Sequence, residues 1–544
     1  MSDRRPGSRA GAWLQLIGAL MWIPQAALLA LAAGNIAAGG GVAEVMPAAA
    51  GVLALGLLRA ALEAAGGRLA FRTARTFLSR ARAAATARLA AHSPFDIERP
   101  ASGLAAGVLA EQAEMIVPYL ARYAPARLKA TVVPLAILAV ILPISWAAAL
   151  MLAVAGPAIP FFMALIGWQA QAASEKQLAE LGTMNAFLLD RLRGLATLRS
   201  FGAVDLTATR LRSQAERVRQ RTMAVLRIAF LSSAVLELFA AFGVAAVAIY
   251  IGFDLLGQIG YGAWGGRLSL GEALFILLLA PAYFEPLRDL AAVWHDRASG
   301  EAAISAIDGL AAEGPVLLGA DGAAPASVPS APPAIHLAGV CVRHAGASAP
   351  ALDGFDLAVS PGEHVALFGP SGAGKSTLLG LIAGLVSMQS GEVRVDGVPL
   401  DAAGAAALRA RIAWIGQQPH VFAGSMSANI ALGRPGVDPA AISDALRFAA
   451  LDDVAARRAG ALLGEGGAGL SGGEALRLAL ARAAAAPAGL ILADEPTAHL
   501  DAATAAAITE GILALAQGRT LVVATHDPVL AARMDRIVRL EAPR

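Results

Sequence analysis

Cysteine is nearly absent: Cys341 stands alone in 544 residues. A lone thiol excludes an internal disulfide and any metal site built on a cysteine cluster. Charge is also scarce, at 15% of residues, where soluble globular domains carry about 25%. Apolar residues make up 57%, above the roughly 45–50% of soluble domains, which disfavours a large soluble enzyme. Alanine swells that figure while being only weakly lipophilic, so membrane spans should have soft edges. No short-period repeat is present, which sets solenoid architectures aside. The length exceeds one ordinary core, so at least two domains are expected. The net charge of +2 says less than where the charges lie.

What is present begins with six apolar stretches near the ~20 residues needed to cross a bilayer. They run approximately Ala12–Ala33, Val42–Ala64, Leu128–Trp146, Ala147–Trp168, Ile228–Leu255 and Leu270–Trp294. The first follows Arg4 and Arg5 and ends in small residues near Ala32 and Ala33, like a signal peptide. Its apolar run outlasts the roughly 7–15 residues of a signal core, so it is read as a retained first span. Two long segments, Gly66–Arg127 and Gln169–Arg227, are rich in arginine, whereas the opposite-side connections offer only Arg267. Basic residues collect in cytoplasmic loops. Both segments and the amino terminus are therefore expected in the cytoplasm, with the lipid bilayer as a partner. The arginines flank the spans and mix with Glu and Asp, which argues against nucleic acid as a partner.

Both segments have helical composition and predict two long hairpins, with tips at Ser93-Pro94-Phe95-Asp96 and Arg199-Ser200-Phe201-Gly202. Ionisable residues inside spans carry a functional hypothesis. Here they are Arg59 and Glu63, four residues apart, then Glu237, Glu285, Arg288 and Asp289; several lie near the cytoplasmic ends, where water reaches. From about Ala311 to Pro333 the chain turns to Ala, Gly, Pro and Ser and reads as a linker. Beyond it, candidate strands Glu363–Phe368, Gly391–Val395, Gly489–Ala493 and Thr520–Ala524 alternate with helices, which predicts an α/β domain with a largely parallel sheet. The expected domains are 1–310 in the membrane, 311–333 as linker and 334–544 as the α/β domain.

The sharpest motif is Gly369-Pro370-Ser371-Gly372-Ala373-Gly374-Lys375-Ser376-Thr377. It fits G-x-x-x-x-G-K-[ST] between a strand and a helix. Glycines there let backbone N–H groups wrap phosphates at a helix N-terminus. Lys375 would bridge the β- and γ-phosphates of ATP, and Ser376 would hold Mg²⁺. The apolar run Gly489–Ala493 ends in Asp494 and Glu495. Asp494 suits a Mg²⁺-linked role; Glu495 suits a general base or orienter of the attacking water. Between them lies Leu470-Ser471-Gly472-Gly473-Glu474, whose serine and backbone N–H groups can form a second anion site.

That third motif resembles the ABC signature, in which the signature of one cassette closes over ATP bound by another. The resemblance implies further roles. Gln417 stands at the Q-loop position that contacts Mg²⁺ and water, His526 at the switch histidine and Asp501 at the D-loop. The tyrosine that usually stacks on adenine is replaced by Val340-Cys341-Val342-Arg343-His344, leaving His344 to stack. His92, His336, His364, His420 and His499 are read as surface or packing residues; His295 carries a weaker haem or metal reading. The whole chain resembles an ABC exporter half-transporter: a six-span helical membrane domain fused to an α/β P-loop ATPase. Ala121-Arg122-Tyr123-Ala124-Pro125, Pro281–Asp289 and Glu495–Asp501 resemble the CydD family within it. That likeness implies a CydC-like half-transporter as heterodimeric partner and a small thiol, cysteine or glutathione, exported across the bacterial inner membrane in support of cytochrome bd assembly. Exporters of haem, lipid or drugs would share everything except those three stretches.

Overall fold

The computed structural model describes residues 9–541, apart from 97–98, 101, 311–315, 321–330, 345, 348, 435, 459–460, 465–466 and 486–487. Two compact units emerge. One is Met1–Ala84 with Ser102–Leu310; the other is Ala85–Ala101 with Ala311–Arg544.

The first unit is all helix. Its first span is two helices, Arg9–Leu20 and Trp22–Ala37. Pro24 explains the break, because it has no N–H for the Leu20 carbonyl and its ring crowds that turn. The helices Val42–Ala91 and Val204–Leu255 hold 50 and 52 residues. At 1.5 Å per residue each runs about 75 Å, far beyond the ~30 Å hydrocarbon core of a bilayer, so each is a span with a long polar extension. Among the described residues five stretches are long and apolar enough to cross a membrane: Ala10–Ala37, Val42–Ala91, Ser102–Ile141, Ala234–Leu255 and Leu270–Leu310. The fourth expected span, Ala147–Trp168, lies in the helix Trp146–Arg193. Only Trp146–Ile159 of it counts as an apolar helix, and that is short of a span; the rest falls largely on side chains outside the described set.

Capping fixes the tight ends. Ser145 is fully buried; its hydroxyl accepts from the Ala148 N–H at 3.2 Å and donates to the Gly262 carbonyl at 2.8 Å. Ser269 and Glu272 form a reciprocal capping box at the start of Leu270–Ala292. The expected hairpin tips coincide with helix breaks, one after Ala91 and one at Phe201-Gly202, where Gly202 has φ +63°.

The second unit holds two sheets. Leu352–Val359, Ile335–Val342, Ser390–Val395 and Val398–Pro399 pair antiparallel in that order. The other sheet is wholly parallel, in the order Ile412–Ile415, Leu490–Asp494, Thr520–Thr525, His364–Phe368, Arg536–Arg539. Strands covered on both faces read as continuous apolar runs, and Leu521, Val522, Val523 and Ala524 are fully buried. The antiparallel sheet was not foreseen. The Gly391–Val395 run belongs to it, because apolar content marks a strand without marking its direction.

Residues 85–101 pack as part of this unit. The Ser93 hydroxyl donates to the Leu385 carbonyl at 2.5 Å. Phe95 packs on the core beside Gly380, where a Cβ would stand 2.9 Å from its ring. Part of the expected linker is also tied down. The Leu317 N–H donates to the Ala91 carbonyl at 2.8 Å, and Arg409 holds the carbonyls of Leu318 and Gly319.

Candidate nucleotide site

The strand His364–Phe368 lies inside the parallel sheet and delivers the chain to Gly369. Three positions there call for glycine, one being Gly372 with φ +84°. A Cβ on Gly369 would stand 2.5 Å from the Leu540 carbonyl oxygen, and Gly374 has φ +84° with the Ala351 carbonyl oxygen 2.5 Å from where a Cβ would be. The helix Lys375–Ile382 starts at once after this loop. Its free N–H groups and dipole favour an anion at the loop.

Lys375 is only 4% exposed. Its ammonium donates to the carbonyls of Gly369 at 2.8 Å and Pro370 at 2.9 Å, and Glu495 Oε1 is 3.2 Å away. A buried ammonium is tolerable only when so compensated. Glu495 Oε2 in turn sits 3.2 Å from His526 Nδ1, so one carboxylate bridges the P-loop lysine and the histidine that follows the next strand. The Glu495 backbone has φ +43°, a left-handed conformation costing on the order of 1–2 kcal/mol for a residue with a Cβ. Its N–H is anchored to the Ala524 carbonyl at 2.8 Å.

Asp494 ends the strand Leu490–Asp494. Burial pushes its carboxyl above the ordinary range, while a hydrogen bond from Ser376 and the charge of Lys375 pull the other way. Asp494 Oδ1 is buried without a hydrogen-bond partner. A hydroxyl and a carboxylate with a spare oxygen are the hard donors Mg²⁺ takes, so the residues fit that ion. His344 stands two residues beyond Ile335–Val342, its Nε2 2.9 Å from Thr377 Oγ1 at the start of the P-loop helix. Gln417, two residues past Ile412–Ile415, is exposed and bonds to none of these groups among the described residues.

The remaining expected residues gather in a second cluster. Ser471 caps the helix Gly472–Ala484 through a capping box with Glu474, and that backbone bond holds the Glu474 carboxyl below its usual range. Asp501 caps Ala502–Ala516, accepting from the N–H groups of Ala503 at 3.1 Å and Thr504 at 3.0 Å and from the Thr504 hydroxyl at 2.6 Å. Gly473 leaves room for Thr504, whose methyl would be 2.9 Å from a Cβ there. Thr504 thus joins signature and D-loop. Among the described residues no hydrogen bond or ion pair links Ser471, Gly472 or Gly473 to Gly369–Thr377.

Sequence reasoning passed over the groups that brace both clusters. Thr497 donates to Asp527 at 3.1 Å beneath Glu495 and His526. Arg482, on the signature helix, donates to Asn429 and to the His420 carbonyl, tying that helix to the segment after Gln417. An arginine inside the apolar run Leu478–Ala484 was the available signal for the latter.

Residues 352–498 match the family described as ABC transporter, and residues 11–287 match the ABC transporter transmembrane region. The chain belongs to the ABC transporter family, as an ATP-hydrolysing exporter with its membrane and ATPase domains fused. It is 36% identical over 482 residues, 87% of this chain and 81% of the relative, to the transport ATP-binding protein AarD of Providencia stuartii. It is 35% identical over 436 residues, 80% of this chain and 73% of the relative, to the glutathione/L-cysteine transport system ATP-binding/permease protein CydD of Haemophilus influenzae. A bacterial Atm1-family ABC exporter with ATP bound shares the fold, with TM-score 0.76 and 23% identity over 97% of this chain and 93% of that one.

Proposed function

We propose that this chain exports a small thiol, cysteine or glutathione, across the bacterial inner membrane as one half of a heterodimer with a CydC-like half-transporter, in support of cytochrome bd assembly. The likeness to CydD over four-fifths of the chain carries this reading. Residues 1–310 form the membrane domain with two cytoplasmic helical hairpins, 311–333 link, and 334–544 form the cytoplasmic ATPase.

In the ATPase the loop Gly369, Pro370, Ser371, Gly372, Ala373, Gly374 wraps the phosphates with the N–H groups of its non-proline residues, Pro370 shaping the turn, and Thr377 continues the cradle. Lys375 supplies the phosphate-facing cation. Ser376, Gln417 and Asp494 would hold Mg²⁺, which when bound neutralises charge on the phosphates. Glu495 orients the attacking water and takes its proton. Its two oxygens are pinned by Lys375 and His526, so it cannot swing away, and its strained backbone is part of that positioning. His526 reads the γ-phosphate, and His344 stacks on the base.

Ser471, Gly472 and Gly473 face the ATP of the partner chain, and Asp501 reaches the interface. The helix that begins at Lys375 carries Gly380, on which Phe95 rests. Closure of the phosphate loop therefore moves the first hairpin tip through one short rigid helix. ATP does work only because the closed state binds it more tightly than the open one.

Haem, lipid or a drug as cargo is the alternative. Inside-out vesicles containing the chain and its partner test the choice directly. ATP-dependent uptake of labelled cysteine or glutathione supports the thiol reading, and uptake of haem or lipid alone rejects it.

A further inference from the structure

Inside the membrane unit lies a cavity of about 190 Å³ lined by residues of four spans. It is charged rather than apolar. Arg59 and Lys129 supply two cations, and Glu63, Glu285 and Asp289 supply three carboxylates. Ionisable groups inside spans are costly and mark function by default. Two of the five already neutralise each other: Arg59 Nε is 3.1 Å from Glu63 Oε1, and the guanidinium lies 5.6 Å from the centre of the Trp22 ring. Gly18 makes room for this pair, since a Cβ there would stand 3.0 Å from Glu63 Cγ. The side chains of Lys129, Glu285 and Asp289 make no hydrogen bond or ion pair with any described residue. The cavity therefore offers an unpaired cation on one span and two unpaired carboxylates a single turn apart on another.

A second feature points into the same space. Pro286, inside Leu270–Ala292, has no N–H to give the Ala282 carbonyl, and both residues line the cavity. Backbone left open at membrane depth is tolerated where it lines a polar cavity. The carbonyl is a further acceptor beside Glu285 and Asp289. Three acceptors on one wall and a lysine with a neighbouring guanidinium on another form complementary ends for a zwitterion. One free cation against two free carboxylates suits a molecule with a single carboxylate and a single ammonium, and disfavours glutathione, whose second carboxylate would go unpaired.

We propose that this cavity is a binding site for a single zwitterionic α-amino acid, its carboxylate on Lys129 and its ammonium on Glu285, Asp289 and the Ala282 carbonyl. This deepens the thiol reading above and rests on it for the physiological cargo, selecting the free amino acid over the tripeptide at this site. No bond is made or broken in the step.

The test uses the full chain in lipid nanodiscs, with radiolabelled L-cysteine under reductant, and L-serine as its redox-inert isostere. Both should bind. N-acetylcysteine, which lacks the ammonium, and cysteine ethyl ester, which lacks the carboxylate, should fail to compete, as should glutathione. Lys129→Gln and Asp289→Asn should each weaken binding at least tenfold, with Lys129→Arg restoring most of it; an unchanged unfolding temperature shows that each variant is folded. Binding of N-acetylcysteine equal to that of cysteine overturns the proposal, as does glutathione binding in place of cysteine, or wild-type affinity in folded Lys129→Gln. Thiol uptake into vesicles that ignores both substitutions rejects the site and leaves the thiol reading standing. Cysteine binding at the site without any thiol uptake does the reverse.

Discussion

The Glu495 carboxylate stands 3.2 Å from the Lys375 ammonium, although the two residues are far apart in sequence and follow strands that Thr520–Thr525 separates in the parallel sheet. The contact makes the lysine and the base a single unit, with His526 on the other oxygen. Replacing Glu495 with Gln keeps shape and removes the proton acceptor. Hydrolysis should fall by roughly 10²–10⁴-fold, the span of general-base contributions, while ATP still binds. Steady-state ATPase beside nucleotide-affinity measurements checks both halves, and wild-type turnover in this variant refutes the assignment. Lys375→Ala should instead lose affinity for ATP.

Asp494 sets function against stability. Burial is the largest influence on its carboxyl and raises its pKa. A carboxyl raised in the folded state favours folding when protonated at low pH; that contribution is lost as pH climbs from the ordinary value of about 3.9 through the folded one. At neutral pH the buried anion is a net cost. Asp494→Asn should therefore unfold at a temperature equal to or above wild type at pH 8, with a smaller difference at pH 5, while ATP hydrolysis is lost. A variant that melts earlier than wild type at pH 8 contradicts this account.

His344 accepts or donates a bond at Thr377 Oγ1, 2.9 Å away, which holds its ring beside the start of the P-loop helix. A base stacked on an aromatic gains about 1–3 kcal/mol in single-strand binders, and a phenol offers a larger face than an imidazole. His344→Tyr should tighten ATP binding a few-fold. Titration with a fluorescent ATP analogue checks it, and weaker binding would place the adenine elsewhere.

Much of this is legible in the sequence. The P-loop, the acidic pair and the signature are local patterns, and each lies at a strand or helix end. The hairpin tips were legible because Pro94 and Gly202 interrupt otherwise unbroken helical composition. Other features depend on the path of the chain. Sheet direction could not be read from Gly391–Val395, because an antiparallel strand with one buried face still looks apolar. The contact of Phe95 with Gly380 joins residues from opposite ends of the sequence, and no local pattern announces it. The cavity at Lys129 and Asp289 was half visible: Arg59, Glu63, Glu285 and Asp289 could be named and Lys129 was passed over, and which charges stayed unpaired required the packing of four spans.

The two clusters bear on assembly. Ser471, Gly473, Thr504 and Asp501 form one group, and Lys375, Asp494, Glu495 and His526 another, with no bond between them among the described residues. On the proposed reading the signature serves an ATP held by a different chain, and each chain contributes half of two composite sites. If the partner is a distinct CydC-like chain, the two sites are chemically unequal. Every catalytic position of the site built on Lys375 is filled here, so it should hydrolyse ATP against an intact partner signature. Ser471→Arg would put a cation and a long side chain at the cap of Gly472–Ala484, where the hydroxyl now accepts the Glu474 N–H at 3.2 Å. It should damage the site carrying the partner's P-loop and spare the phosphate contacts of Lys375. The expected signature is loss of about half of the ATP occupancy with ATP affinity retained at the remaining site, read by counting trapped nucleotides in an Glu495→Gln background. Native mass spectrometry of the co-purified complex supplies the stoichiometry. A homodimer of this chain that transports thiols at full rate would overturn the heterodimer, while both clusters would keep their roles.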